Sequence, residues 1–257
     1  MTLLDDKFVR DGFLLAKNVV CTEYIEALRG AMVTILEPYM PDEFDVACSE
    51  KALDSYFYQA SSDSIVLKNN AYKLFGKLSH LPGLLCQVEV TRVLQLLGFE
   101  NFTVQGFSVF CLEPGNTRNK FRPHQDLRGR TSHKSLILWV PLSVGSSYGG
   151  VRVWKGSHAL GPLQHSVDSD GHLTVDSDRL SSFEQVELTD FALGDALFIN
   201  PYSVHETVLN LGDGIRWTAI VKIDDIKSVR HLDKHLSPFP EEELIDLRSN
   251  EDRLLNQ

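Results

Sequence analysis

Residues 122–126 read Arg122-Pro123-His124-Gln125-Asp126, a pentapeptide that sets an imidazole and a carboxylate two positions apart. It follows the apolar, strand-like run Phe102 to Cys111. On an extended backbone, residues i and i+2 project to the same face, so His124 and Asp126 can close on one cation. Two ligands alone do not fix a metal, and a third must come from elsewhere. Read by itself, the triplet is better taken as a turn histidine beside a solvated aspartate, and the surrounding sequence has to decide.

After this stretch, short β-rich runs continue at Ser135–Val144, Val151–Trp154, Glu184–Leu188, Ala196–Ile199, Val204–Asn210 and Trp217–Ile223. Gly149-Gly150, Gly156-Ser157, Gly194-Asp195, Asn200-Pro201 and Gly212-Asp213-Gly214 separate them. Many short strands punctuated in this way predict a sandwich or barrel. The polar stretch Asp168 to Ser182 reads as a long loop between strands.

Before it, the character is helical. A short helix turns at Gly12 into the strand-like Phe13-Leu14-Leu15. Thr22 can then cap a helix whose apolar positions Tyr24, Ile25, Leu28, Met32 and Ile35 recur every three or four residues until Pro38. Residues 39–64 predict a loop with a helical turn around Leu53 to Tyr58, and such a long irregular stretch suits a lid or binding loop. Two more helices are expected, Asn70–Leu78 and Leu84–Leu97, the second stopped by Gly98. The expected organisation is one domain over 1–257: a helical part (1–100), a β core (101–224) and a C-terminal tail (225–257), acidic from Pro238.

Hydrophobic residues make up 43% of the chain and charged residues 23%, the balance of a globular protein with a real core. A net charge of −10 argues against general binding to nucleic acid or to anionic membrane surfaces, both of which need a basic face. Cys21, Cys48, Cys86 and Cys111 form no CxxC pair and read as reduced thiols. The start of the chain lacks a basic segment followed by an apolar core, and no window approaches the roughly 18 apolar residues of a membrane span. A cytoplasmic location is the expectation.

A third ligand is available in His205, at the start of a strand in the second half of the β region. Two histidines and one carboxylate with open metal positions form the ligand pattern of non-haem Fe(II) oxygenases. Arg216 follows eleven residues on, and its planar fork can take a carboxylate through two parallel hydrogen bonds. A hairpin across Gly212-Asp213-Gly214 would bring it back beside His205. A metal next to such a clamp suits a 2-oxo diacid, chelating at one end and paired with arginine at the other. Six basic residues, Arg118, Lys120, Arg122, Arg128, Arg130 and Lys134, surround the motif with Asp126 as their only acid. They either draw in an anionic substrate or form a solvated loop. His133, His165 and His172 read as solvated, Trp139 and Trp154 as core, and Phe107 and Phe121 as core or pocket.

These residues carry a resemblance to the phytanoyl-CoA dioxygenase family of Fe(II)- and 2-oxoglutarate-dependent oxygenases. The matching segments are Asp11-Gly12-Phe13-Leu14, Pro123-His124-Gln125-Asp126, Lys155-Gly156-Ser157-His158 within Gly150 to Gly161, and Gly194-Asp195 through His205 to Arg216, in the family's order. The resemblance implies a mainly β fold with α, a double-stranded β-helix (jelly roll, cupin-like) core under a helical N-terminal layer. It further implies Fe(II) on His124, Asp126 and His205, and 2-oxoglutarate with its distal carboxylate on Arg216. Thr207 would assist that arginine, and Gln105 is a further candidate for a cosubstrate contact. Dioxygen would be the oxidant, and the product a hydroxylated or otherwise oxidised small organic molecule, with succinate and CO2. In the family's context His158 has a structural role rather than serving as a fourth ligand. Asp126 argues against the related halogenases, which replace the carboxylate ligand with a small residue. Pro123 and Trp217 stand where many members have Trp and a second Arg. The competing reading is a non-catalytic or redox-neutral cupin-like metal-binding protein.

Overall fold

The computed structural model describes residues 3–40, 52–63, 65–127, 130, 132–145, 147–169 and 171–228. Its helices are α1 (Leu3–Asp11), α2 (Thr22–Leu36), α3 (Ala52–Asp63), α4 (Ile65–Phe75) and α5 (Val88–Leu96). Its strands are β1 (Phe13–Ala16), β2 (Phe102–Leu112), β3 (Ser135–Pro141), β4 (Gly150–Trp154), β5 (His165–Val167), β6 (Leu173–Val175), β7 (Gln185–Leu188), β8 (Ala196–Ile199), β9 (His205–Val208) and β10 (Arg216–Asp225). The major sheet runs β1-β8-β3-β10-β2, the minor sheet β7-β4-β9, and β5-β6 form a separate hairpin. Every strand pair is antiparallel, and the sheets face one another as a jelly roll without closing into a barrel.

Strand β3 shows why the layers form. All seven of its residues, Ser-Leu-Ile-Leu-Trp-Val-Pro, are buried, because both faces of the strand are covered. Its Leu136, Leu138 and Val140 join Ala196, Phe198, Trp217, Ala219 and Val221 in a core shared with Ile25, Leu28 and Met32 of α2, Phe57 of α3 and Phe75 of α4. Ile137 and Trp139 instead face Val151 and Val153 of the minor sheet, alongside Phe13, Leu197 and Ile199. Alternate residues thus build two cores, one under the helices and one between the sheets.

The sequence motifs hold this frame together. Gly12 sits at φ +80°, where a side chain would meet Ser203 Oγ and the His158 ring. Ser203 Oγ donates to Gly12 O (2.8 Å), the Gly156 amide to Asp11 O (2.9 Å), and the Val204 amide to Ser157 Oγ (2.8 Å). The Asp11-Gly12 turn, the Gly156-Ser157-His158 turn and the segment entering β9 are therefore one hydrogen-bonded unit. His158 Nε2 bonds Val9 O (2.9 Å), which gives this histidine a structural role away from the other candidate ligands.

Several expectations are corrected. Thr22 is the first residue of α2, and Cys21 holds the cap position without a side-chain cap bond. The expected turn at Leu53 to Tyr58 is part of the twelve-residue α3, pinned because Phe57 packs edge-on against Trp217, ring centroids 4.9 Å apart. Within the polar stretch 168–182, β6 pairs with β5, so backbone pairing overrides its composition. The C-terminal acidic segment and most of the 39–51 loop lie outside the described residues. Cys21, Cys86 and Cys111 are free thiols. Among the described residues no helix is long and apolar enough to cross a membrane.

Asp54 of α3 accepts from the Ile215 amide (2.7 Å) and from Trp217 Nε1 (2.7 Å), the two residues flanking Arg216. Replacing it with alanine leaves two donors without this acceptor. Asp54→Ala should lower stability by roughly 1–3 kcal/mol in urea unfolding; an unchanged midpoint would show that the strand start does not depend on α3.

Candidate metal centre

His124 and His205 meet through their backbones. The His124 amide donates to His205 O and the His205 amide to His124 O, both at 3.0 Å, as an isolated antiparallel bridge. Their rings lie 4.4 Å apart, centroid to centroid. Each Nδ1 contacts a carbonyl, Arg122 O at 2.7 Å for His124 and Ser203 O at 3.0 Å for His205. A carbonyl only accepts, so each Nδ1 carries the proton and each Nε2 keeps its lone pair for a metal. The Asp126 amide donates to Pro201 O (3.1 Å), and Asp126 Oδ2 stands 3.7 Å from His205 Nε2. One ligand atom from each of the three residues falls within 4.8 Å of the others.

Gln125, between two of these residues, is buried, and sequence reasoning gave it no role. Its side chain accepts from the Leu163 amide (2.8 Å) and donates to Gly161 O (2.9 Å) and Tyr202 O (2.6 Å), while its amide donates to His165 Nε2 (3.1 Å). It locks the motif onto both flanking loops. A polar residue inside a metal motif is the only sequence sign of such a role. His165 is thereby a hydrogen-bond partner of the motif, not a solvated residue.

Arg216 reaches the site by a different route from the hairpin expected for it. Strand β9 belongs to the minor sheet and β10 to the major sheet, so the Gly212-Asp213-Gly214 turn carries the chain across the sandwich. The turn is set by buried Asn210, which donates to Leu112 O (2.7 Å) and Gly214 O (2.8 Å) and accepts from the Gly212 amide (3.0 Å). Arg216 Nη1 then bridges back, donating to Val208 O (2.9 Å) and Gly150 O (3.0 Å) of the minor sheet. Its Nε is buried without a partner, and among the described residues no carboxylate pairs with it. Burial lowers this guanidinium to about 10. A buried cation lacking a counter-charge is a fit for an external carboxylate.

Arg216 and Thr207 line a cavity of about 280 Å3 together with Tyr72, Phe110, Phe121 and His172. Phe121 bridges cavity and ligands, its ring 5.6 Å from that of His124. His172 bonds Arg118 O (2.6 Å) and packs edge-on against Phe121, so it belongs to the wall rather than to solvent. Gln105 is placed elsewhere. It lies where the β2–β10 register shifts, and its amide donates to Asp224, away from the residues lining the Arg216 cavity. Phe107 packs on the helical core, and Trp139 and Trp154 are buried as expected.

Four residues of the basic run around the motif are engaged internally. Arg122 pairs with Asp168 (3.1 Å), Lys120 lies 3.8 Å from Glu206, Lys134 donates to Gly98 O (2.7 Å), and buried Arg130 donates to Ser132 O (3.0 Å) beneath the Tyr202 ring. Arg128 is outside the described residues. Among the described residues, Lys222 of β10 reaches the cluster, its Nζ donating to Asp126 Oδ1 at 3.0 Å. Burial alone would raise the Asp126 carboxyl, but Lys222 and the two imidazoles outweigh it and hold the group well below its ordinary 3.8. Burial, helped by His124, lowers His205 to about 4. Asp126 is thus ionised and His205 neutral at neutral pH, the states in which each could bind a metal.

Fold and ligands together define a double-sheet jelly roll with a two-histidine, one-carboxylate cluster that can hold a metal ion. A family model described as phytanoyl-CoA dioxygenase (PhyH) matches residues 8–218, and the chain belongs to that family. A curated relative, 1-deoxypentalenic acid 11-beta-hydroxylase of Streptomyces exfoliatus, is 29% identical over 129 residues, 46% of this chain and 42% of its own length. The match therefore spans less than half of that protein. Among solved structures, the epimerase SnoN from nogalamycin biosynthesis, in complex with Fe3+, alpha-ketoglutarate and nogalamycin RO, is similar at a TM-score of 0.60 and 16% identity, over 92% of this chain and 89% of its own. EctD from S. alaskensis, with 2-oxoglutarate and 5-hydroxyectoine, gives 0.59 at 15% identity, over 88% and 77%. At these identities the likeness shows the fold.

The lowered His205 has a consequence for the metal-free protein. The unfolded imidazole takes up a proton near its ordinary 6.5, the native one only near 4. Stability is therefore full above 6.5 and falls as pH drops from there toward 4, at up to about 1.4 kcal/mol per pH unit. Urea midpoints of chelator-treated protein should decline across this window, and His205→Gln should flatten the decline. An equal slope in both proteins would contradict the burial of a neutral imidazole.

Proposed function

We propose that this protein is a non-haem dioxygenase dependent on Fe(II) and 2-oxoglutarate, which hydroxylates or otherwise oxidises a small organic substrate and releases succinate and CO2. The observation that carries the reading is the co-occurrence of two features linked through Phe121, which lines the Arg216 cavity and stacks near His124: three convergent ligand atoms, and a buried arginine with no carboxylate partner among the described residues. A merely structural histidine pair needs no such arginine.

His124, Asp126 and His205 would hold the iron, and the donor set, two imidazole nitrogens and one carboxylate oxygen, fits it. Bound iron supplies the activation of dioxygen that couples decarboxylation of 2-oxoglutarate to oxidation of the substrate. The remaining work belongs to the chain. Arg216 pairs with the distal carboxylate of the cosubstrate, with the Thr207 hydroxyl on the same wall able to donate to it. Gln105, bonded to Asp224, takes no part. Phe110, Phe121 and Tyr72 exclude water from the cavity and give the substrate an apolar surface. Burial pushes the Tyr72 phenol far above its ordinary range, so it stays protonated there as a hydrogen-bond donor. Residues 1–257 would act as one oxygenase unit, since a single core joins the helices to the major sheet.

The protein incubated with Fe(II), 2-oxoglutarate and air should form succinate slowly even without a substrate, and Asp126→Ala should abolish this together with iron retention. Arg216→Leu should raise the 2-oxoglutarate requirement by about 10- to 100-fold, the worth of a charged hydrogen bond, while leaving the iron requirement near that of the parent. Succinate formation independent of Fe(II), or an unchanged requirement in Arg216→Leu, would refute the reading.

A further inference from the structure

Lys222 lies outside every motif that carries the family resemblance, yet it contacts a ligand. On β10 it shares the inward face with Arg216, Thr218 and Ile220, opposite Gly106 of β2 and Ile137 of β3. The bulge opposite the Lys222–Ile223 step belongs to β2, whose Gln105 is the extra residue, and β10 itself stays in register with β3 through Lys222. The Lys222 ammonium ends 3.0 Å from Asp126 Oδ1. A Cβ on Gly106 would meet nothing within 4 Å, so the space over the lysine is open.

The two oxygens of Asp126 are thereby divided. Oδ2 faces the histidines, 3.7 Å from His205 Nε2, while Oδ1 is held by the lysine. A carboxylate can ligate through one oxygen or both. Among six octahedral positions, two imidazoles and one oxygen leave three open, and a keto acid chelating through two atoms leaves one. If both Asp126 oxygens bound, none would remain once the keto acid is in place.

We propose that Lys222 is a positioning residue that keeps Asp126 a one-oxygen ligand and so preserves the last open position of the metal. The proposal rests on the iron-site reading above and adds to it a residue that acts only through Asp126. Its loss should leave iron binding in place and close the site only when 2-oxoglutarate is also present.

Nitric oxide, which binds ferrous iron at an open position, tests this by the spin-resonance signal of the nitrosyl adduct under anaerobic conditions. The parent protein and Lys222→Arg, which keeps a charged donor, should give the adduct with Fe(II) alone and with Fe(II) plus 2-oxoglutarate. Lys222→Met should give it with Fe(II) alone but bind nitric oxide at least roughly tenfold more weakly once 2-oxoglutarate is added, the minimum worth of one charged hydrogen bond. Lys222→Leu serves as a second neutral variant if Lys222→Met does not fold. Equal adduct formation by parent and neutral variant in the presence of 2-oxoglutarate would overturn the positioning role while leaving the iron site standing. Absence of any adduct in the parent would overturn both.

Discussion

Two backbone hydrogen bonds, exchanged between His124 and His205 at 3.0 Å, govern how the chemistry of this protein is assembled. They join a loop from the first half of the β region to the edge of the minor sheet, far apart in sequence. An isolated two-residue bridge is weak by itself and must be imposed by what surrounds it. Gln125 clamps the loop side through Gly161, Leu163 and Tyr202, and Ser157 and Ser203 fix the approach to β9 on the other. The glycine-rich turns that punctuate the sequence therefore belong to the site: they deliver hydroxyls and carbonyls that set the ligand backbone.

The same frame explains the electrostatics. Two imidazoles, a carboxylate and a lysine are gathered in a largely buried region, where unpaired charge is costly. The Nδ1 contacts to carbonyls fix the ring orientation with the Nε2 atoms outward, burial keeps His205 neutral, and Lys222 balances Asp126. Among the described residues Arg216 is the exception, a buried cation answered by backbone carbonyls, and the proposed function would have an external dianion complete the balance.

Much of this was legible in the sequence, for identifiable reasons. The jelly-roll strands are short apolar runs between strong turn signals, and the candidate ligands stand in short motifs, His124 and Asp126 in a loop bridged to β9 and His205 at the start of that strand. What was hidden depends on pairing between distant segments. The hairpin expected to return Arg216 does not form, because β9 and β10 enter different sheets, and no local signal distinguishes a sheet-crossing turn from a hairpin. The basic run 118–134 read either as an electrostatic funnel or as a solvated loop, and Arg122, Lys120, Arg130 and Lys134 have partners within the fold. Lys222 was invisible for the converse reason: one lysine in the strand Arg216–Asp225 gives no hint that it points at a metal ligand. Gln105 shows the limit of placing a residue by its strand alone, since the bulge turns it to Asp224.

The central claim is that one ferrous ion and one 2-oxoglutarate meet between the His124–Asp126–His205 cluster and Arg216. Anaerobic titration of the purified protein with Fe(II) and 2-oxoglutarate tests it directly, because a keto acid chelated to ferrous iron absorbs in the visible and neither component does so alone. The account predicts a band that needs both components, saturates at one equivalent of iron, and disappears in Asp126→Ala. A protein that gives no band with both components present, or an undiminished band in Asp126→Ala, would contradict it.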